Sequence, residues 1–180
     1  MTVYINPAHT RHSPGGCFGG RREYEDNRTL AEAVIRELSS RLPVSLTEGN
    51  LREHTFSGDD ILLVLHRGVP DKGDKKRGAF ITVGENADSA VQYDAYRLLC
   101  SITGAGGFRY GGVHTLTDKS PFRQFGAVPL KRKYLLSAGC IDSEEDNGVF
   151  CGNTEALAKS LAAVIKEICK EAENEDNTEI

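Results

Sequence analysis

Short apolar runs alternate along this 180-residue chain with longer stretches in which apolar residues recur every three or four positions. The run at residues 61–65 (ILLVL) is uninterrupted, as expected for a strand that is covered on both faces. Alternating strands and helices are typical of α/β domains. The pattern therefore predicts one domain, with a twisted, mostly parallel sheet flanked by helices on both faces. Its strands are predicted at residues 2–6, 44–47, 61–65, 78–83 and 133–136.

Helical periodicity predicts three helices, over residues 26 or 27 to 41, over residues 89–102, and from residue 153 or 154 onward. The glycine-dense segment 104–112 is interpreted as a flexible turn, and residues 114–128 as a mainly irregular loop. Beyond Lys170 the chain becomes acidic and polar, and we expect it to fray. Residues 1–172 are thus predicted to form the domain, and residues 173–180 a tail.

Composition excludes several functional classes. The net charge is −4, and no clustered basic face of the kind that binds nucleic acid is evident. No apolar run is long enough to cross a membrane. The five cysteines are an odd number and include no CxxC pair, so a disulfide framework is not expected. These features leave a soluble enzyme or a binding domain.

Three potential metal ligands lie next to predicted strands and helices. His9 follows the first strand, His66 ends the apolar strand, and Glu23 comes just before the first helix. Because the carboxyl ends of parallel strands meet at one edge of a sheet, these side chains are expected to converge there. Two imidazoles and one carboxylate form a common catalytic zinc set that leaves a fourth position open. Cys17, in the glycine-rich loop 7–20, is a less favoured additional ligand.

Three segments carry a resemblance to a known family: VYINPAH at residues 3–9, Glu23 with Asn27 four residues later, and LVLH at residues 63–66. They resemble the zinc-dependent N-acetylmuramoyl-L-alanine amidases of type 3, most nearly the compact amidase domains of clostridial phage endolysins. In that family the first strand ends in Gly-His, and Ala8 stands here for the glycine. The resemblance extends over residues 2–170. It implies that His9, Glu23 and His66 bind Zn²⁺, and the Asn27 spacing favours Glu23 over its neighbour Glu25.

Two departures from the family pattern bear on function. Ser137 stands where the family has its catalytic Glu, and a serine without a partner base cannot accept a proton near neutral pH. Loss of a positioned general base typically lowers a rate by about 10²–10⁴-fold. The second departure is Arg67-Gly68 in place of Ala-Asn, which we expect to alter the substrate cleft.

Another side chain could replace the missing carboxylate. His114 is the preferred candidate, since its ordinary pKa of about 6.5 suits proton transfer near neutrality. The other candidate acids and bases for this role are His12, Glu25, Asp142, Glu144 and Glu145.

The resemblance implies hydrolysis of the amide between muramic acid and L-alanine, with peptidoglycan or a muropeptide as partner and neither nucleic acid nor membrane involved. Because of Ser137, an inactive module that binds muropeptide or a protein is the alternative. A zinc hydrolase with another substrate is a third hypothesis. No secretory signal pattern opens the sequence. The expected location is therefore the cytoplasm until release, or a secreted cell-wall protein from which this domain is excised.

Overall fold

A computed structural model describes residues 1–68, 77–117 and 122–176. Six strands form the main sheet, and a two-stranded hairpin lies in the glycine-rich loop. The strands are β1 (Val3–Asn6), β2 (Cys17–Phe18), β3 (Arg21–Arg22), β4 (Val44–Leu46), β5 (Ile61–Gly68), β6 (Ala79–Val83), β7 (Tyr110–Thr115) and β8 (Arg132–Cys140). The helices are α1 (Glu23–Leu38), α2 (Ser89–Gly106), α3 (Arg123–Gly126) and α4 (Glu144–Asp176), with a 3₁₀ helix at Leu51–Glu53. The predicted single α/β domain is confirmed.

The main sheet has the order β4-β1-β5-β8-β6-β7. Its first four strands run parallel to one another, whereas β6 runs antiparallel to β8 and parallel to β7. The sheet is therefore mixed but mostly parallel. Because β1, β5 and β8 point the same way, their carboxyl ends share one edge.

Alternate side chains of the central strands face two different environments. Ile61, Leu63 and Leu65 join the larger core beneath α1, α2 and α4. Leu62 and Val64 face the opposite side, where α3 and the 3₁₀ helix cover a smaller apolar cluster. The three long helices thus cover one face of the sheet, and only short helices and loops cover the other. This thin second layer leaves room for clefts.

Helix α1 begins at Glu23, three to four residues before the predicted start. The preceding residue, Arg22, makes no side-chain cap, so the usual signal of a helix start is missing. Instead three acidic residues occupy the first turn, where they favour the positive end of the helix dipole. Strand β5 likewise extends past the prediction, so His66 lies inside the strand rather than at its end.

The predicted turn and loop after α2 are wrong in part, because residues 110–115 form the edge strand β7. Two glycines, Gly111 and Gly112, weaken its strand signal. Gly111 is required by packing, since a Cβ there would lie 2.8 Å from the Ala79 carbonyl oxygen of β6. Residues 118–121 of the predicted loop lie outside the described residues.

Helix α4 begins at Glu144, nine or ten residues before the predicted start, and runs to Asp176. The Ser143 hydroxyl accepts a hydrogen bond from the Asp146 backbone N–H at 3.2 Å, as a helix-capping serine does. The helix thus continues past Lys170 into the predicted tail, and residues 177–180 lie outside the described residues. In the described part of the chain, no helix, α4 included, is both long and apolar enough to cross a bilayer.

Candidate metal centre

His9, Glu23 and His66 come together at the carboxyl edge of the sheet. The Nε2 atoms of His9 and His66 lie 3.2 Å and 3.1 Å from different oxygens of the Glu23 carboxylate. Each residue offers one ligand atom, and the three atoms lie within 4.8 Å of one another. Among the described residues, no other group of three His, Cys, Asp or Glu side chains is arranged so closely.

Two backbone N–H groups hold the Glu23 carboxylate in place. Gly16 donates to Oε2 and Arg67 donates to Oε1, both at 2.9 Å. One donor comes from the glycine-rich loop and the other from β5, so the carboxylate ties both segments to the start of α1. Because one backbone N–H fixes each carboxylate oxygen, Oε2 faces His9 and Oε1 faces His66.

The turn after β1 presents His9. Ala8 adopts φ +50°, the left-handed region that L-residues with a side chain rarely occupy. Its backbone N–H donates to the Asn6 side-chain oxygen at 2.8 Å, which stabilises the turn. A glycine would adopt this conformation without strain.

Ser137 orients the His66 ring. Its hydroxyl oxygen lies 3.2 Å from His66 Nδ1, and the two residues are paired neighbours on β8 and β5. If Nε2 is free to bind a metal, Nδ1 carries the proton and donates it to the Ser137 oxygen. A fixed hydrogen bond on the second nitrogen is the usual way in which a metal-binding histidine is oriented. The ring also packs edge-on against Phe122, with centroids 5.0 Å apart.

Protonation states at the site suit metal binding. Burial favours a raised pKa for Glu23, but His9, His66 and the two backbone donors outweigh it, so the pKa of Glu23 is lowered. Burial also lowers the pKa of His66; Glu23 opposes this change and His9 adds to it. Near neutral pH, Glu23 is therefore anionic and His66 neutral, which are the forms that bind a metal.

Two further observations fit a cation between these three side chains. His9 Nε2 is buried and has no partner in good hydrogen-bond geometry within the described chain. In addition, a Cβ on Gly15 would lie 2.5 Å from Glu23 Oε2 and 2.6 Å from His9 Nε2. The loop thus leaves open the space beside the donor atoms, and the residues present fit a divalent metal with nitrogen and oxygen ligands.

We predict that Gly15→Ala lowers the affinity of the site for Zn²⁺ by at least about 10-fold. Mutating residues that support metal ligands typically has an effect of this size. The added methyl group would displace His9 or Glu23. Gly20→Ala is the matched control, because Gly20 also has a positive φ but no atom within 4 Å of the position that a Cβ would take. Both variants should lose about 1–2 kcal/mol of stability to left-handed strain. Equal Zn²⁺ affinities in a competition titration against a chromophoric chelator would contradict the prediction.

The structure separates the other candidate residues from this group. His114 lies on β7, three strands from His66, which corresponds to roughly 14 Å at the usual strand spacing. Its ring contacts Phe80, which stands between it and Ser137 on the same face. Glu25 and His12 are exposed, as is Cys17, whose thiol lies 3.8 Å from the Gly15 carbonyl oxygen.

The acidic residues after β8 also lie apart from the group. Asp142 pairs with Arg77 at 3.0 Å, and Glu144 and Glu145 are exposed in the first turn of α4. None of these three belongs to the cluster of potential ligands among the described residues.

The expected effect of Arg67 on the substrate cleft is wrong. Its side chain points to the helix-covered face and is fully buried. Nη1 pairs with Asp26 at 2.6 Å, and the guanidinium lies 4.5 Å from the centre of the Phe150 ring. Since β5 is one continuous strand, the residue after His66 must point away from it. Arg67 therefore acts on the site through its backbone N–H and through α1.

Sequence reasoning missed the residues that support the ligands. Gly15, the Gly16 N–H and Phe122 carried no signal of their own, because their roles depend on a loop fold that the sequence does not encode locally. Phe122 and His66 line a cleft of about 520 Å³ together with Leu51, Gln124 and Phe125, among others. Of the three potential ligands, His9 and His66 line this cleft, and the buried Glu23 lies behind them.

The fold and the site together define an α/β domain with a candidate three-residue metal centre at the carboxyl edge of its sheet. Its fold is that of N-acetylmuramoyl-L-alanine amidases of known structure. The amidase from Clostridium difficile 630 superposes with a TM-score of 0.74 at 16% identity, over 92% of this chain and 95% of the other.

Two further structures match similarly. The catalytic domain of an N-acetylmuramoyl-L-alanine amidase from Bacillus (Paenibacillus) polymyxa var. colistinus has a TM-score of 0.71 at 16% identity, over 92% and 96% of the two chains. The catalytic domain of an endolysin that targets Clostridia difficile has a TM-score of 0.70 at 16% identity, over 93% and 97%. No protein-family model and no curated protein sequence matches the chain.

Proposed function

We propose that this domain is a Zn²⁺-dependent amidohydrolase that cleaves the amide between muramic acid and L-alanine in peptidoglycan. The observation that carries the proposal is the close group of His9, Glu23 and His66 beside an open cleft. The shared fold with peptidoglycan amidases supports the substrate class. Near-complete coverage of the compact neighbours supports a catalytic domain of similar extent.

His9, Glu23 and His66 would hold the metal. When bound, Zn²⁺ supplies Lewis acidity, which polarises an amide carbonyl and lowers the pKa of water. The chain's own residues supply the positioning: Gly16 and Arg67 fix the carboxylate, and Ser137 fixes the His66 ring. Phe122 packs edge-on against the His66 ring.

A muropeptide-binding module without efficient catalysis is the second candidate. It is favoured by Ser137, which is fully buried and engaged with His66. Such a hydroxyl positions a ligand but does not accept a proton from water near neutral pH. This candidate keeps the metal and the cleft and differs only in turnover.

The two candidates are separated by measuring bound zinc together with new amino termini released from purified cell walls. For the amidase, we expect about one Zn²⁺ per chain and slow release that stops with a chelator and resumes with added Zn²⁺. One bound Zn²⁺ without any release favours the binding module. Failure to bind Zn²⁺ stoichiometrically would overturn both.

A further inference from the structure

A second cavity adjoins the cleft. It measures about 760 Å³ and lies between the end of β6, the start of α2 and the segment that follows α3. Phe122 and Arg123 line both this cavity and the cleft that holds His9 and His66. The two spaces are therefore neighbours on either side of one short ridge. Nothing in the metal chemistry above uses this second space.

The wall of this cavity contains a buried lysine. Lys133 is 8% exposed, and its Nζ donates to the carbonyl oxygens of Gly126 at 2.8 Å and Val128 at 2.6 Å. These two bonds use two of its three N–H groups. Close packing of its stem explains Gly84, where a Cβ would lie 3.0 Å from Lys133 Cε.

No carboxylate in the described chain compensates the Lys133 charge. Burial is the sole cause of the lowered pKa of its ammonium group. Of the two acidic residues in the cavity lining, Asp88 pairs with Lys131 at 3.2 Å and caps α2, and Glu85 is exposed. A buried charge without a partner is costly. An ionisable group that burial perturbs and that lines a cavity is a candidate for contact with a ligand.

The position of Lys133 suits a substrate that reaches across from the metal centre. Lys133 and Ser137 lie four residues apart on β8 and face the same side of the sheet, so about 13 Å separates their Cα atoms. Leu135 is buried between them, so a substrate would pass over the ridge formed by Phe122 and Arg123. An extended peptide covers that distance in about four residues. Arg123, exposed on the ridge between the two spaces, adds a second positive charge along this path.

We propose that this second cavity is a subsite for a carboxylate of the acyl-peptide substrate, bound by Lys133 about four residues from the bond at the metal centre. The inference rests on the proposed function and defines its substrate as an acidic peptide. The carboxylate would take the third N–H of Lys133 and neutralise its charge.

The test measures binding rather than turnover, in the metal-free full chain. The probes are N-acetyl-Ala-Glu-Ala-Ala with free carboxylates and its uncharged counterpart, N-acetyl-Ala-Gln-Ala-Ala-amide. Peptide titrations monitored by NMR should show the acidic probe binding about tenfold or more tightly than the amidated probe, as expected for one charge-assisted hydrogen bond.

In the Lys133→Met variant this preference for the acidic probe should disappear, while weak binding of the amidated probe remains. Lys131→Met is the matched control, since Lys131 lines the same cavity but is half-exposed and paired, and its preference should be unchanged.

A second measurement does not depend on the folding of any variant. In wild-type protein with ¹³C-labelled lysine, the acidic probe should shift the Lys133 side-chain signal and raise the pKa of its ammonium group, whereas the amidated probe should do neither. Equal affinity for the two probes, or an unmoved Lys133 signal at saturation, overturns the inference. Because no hydrolysis is measured, a catalytically inactive chain can still pass this test, and an active one can fail it.

Discussion

Replacing Glu23 with glutamine should lower Zn²⁺ affinity by more than about 100-fold, which exceeds the loss expected from removing only a supporting contact. Glu23 is the central member of the group, because its two oxygens face both histidines. Glutamine keeps the size and removes the charge, and its NH₂ group would face a backbone N–H that now bonds a carboxylate oxygen. The measurement is a competition titration with a chromophoric chelator, checked by metal analysis after dialysis.

Glu25→Gln is the matched control for this prediction. It removes the same charge two residues away, in the same first turn of α1, but from an exposed side chain. Its Zn²⁺ affinity should stay within about twofold of the wild type, because charges at the surface interact weakly. If both variants lost affinity equally, the effect would come from the charge of the helix start, and Glu23 would not be a ligand.

Ser137→Glu should raise the rate of amide hydrolysis by about 10²–10⁴-fold, the usual contribution of a positioned general base. Position 137 adjoins His66 on the neighbouring strand, and the resembled family carries its catalytic Glu there. A carboxylate reaches further than a hydroxyl, so it would extend past the ring into the cleft. The measurement is kcat for a soluble muropeptide, with Zn²⁺ content determined on the same sample.

The neutral counterpart Ser137→Gln tests whether charge is the cause. The glutamine side chain is as long as that of glutamate and can also accept a hydrogen bond from His66, but it cannot take up a proton. We expect no gain in rate and a similar Zn²⁺ content. An equal gain in both variants, or none in Ser137→Glu with Zn²⁺ fully bound, would refute the role assigned to this position.

The sequence was most informative where burial on both faces leaves a continuous apolar run. Residues 61–65 predicted β5 and, with it, the place of His66. The approach of Glu23 to that strand followed from parallel topology, since a crossover helix starts at the carboxyl edge. The grouping of three potential ligands from three different segments could thus be predicted without any knowledge of distances.

Local signals failed where tertiary contacts compensate for a weak sequence pattern. Strand β7 contains Gly111 and Gly112, which lower strand propensity, and only its pairing with β6 maintains it. The start of α4 includes Asn147 and Gly148, which discourage helix. There Asp146 accepts bonds from the Gly78 and Cys140 backbone N–H groups at 3.0 Å and 2.8 Å, and these long-range contacts hold the first turn. The Ser143-x-x-Asp146 spacing was a usable signal for this helix start.

The inward or outward direction of Arg67 could not be predicted from the strand boundary alone. With the strand taken to end at His66, the next residue belonged to a loop and was free to face the cleft. The longer strand reverses that conclusion, because alternation directs Arg67 to the helices. An error of two residues in one boundary thus changed the interpretation of the Arg67 side chain from substrate contact to buried ion pair.

The strand order has a consequence for how the centre is assembled during synthesis. His9, Glu23 and His66 all belong to the first 66 residues, yet β5 is hydrogen-bonded on one side to β8, at Arg132–Cys140. A growing chain therefore carries all three potential ligands long before the strand that orients His66 has left the ribosome. Until then the three residues belong to a sheet that lacks one of its central strands, and the hydrogen bond between His66 and Ser137 cannot form. We therefore expect ordered ligand geometry at this edge only after β8 has joined the sheet.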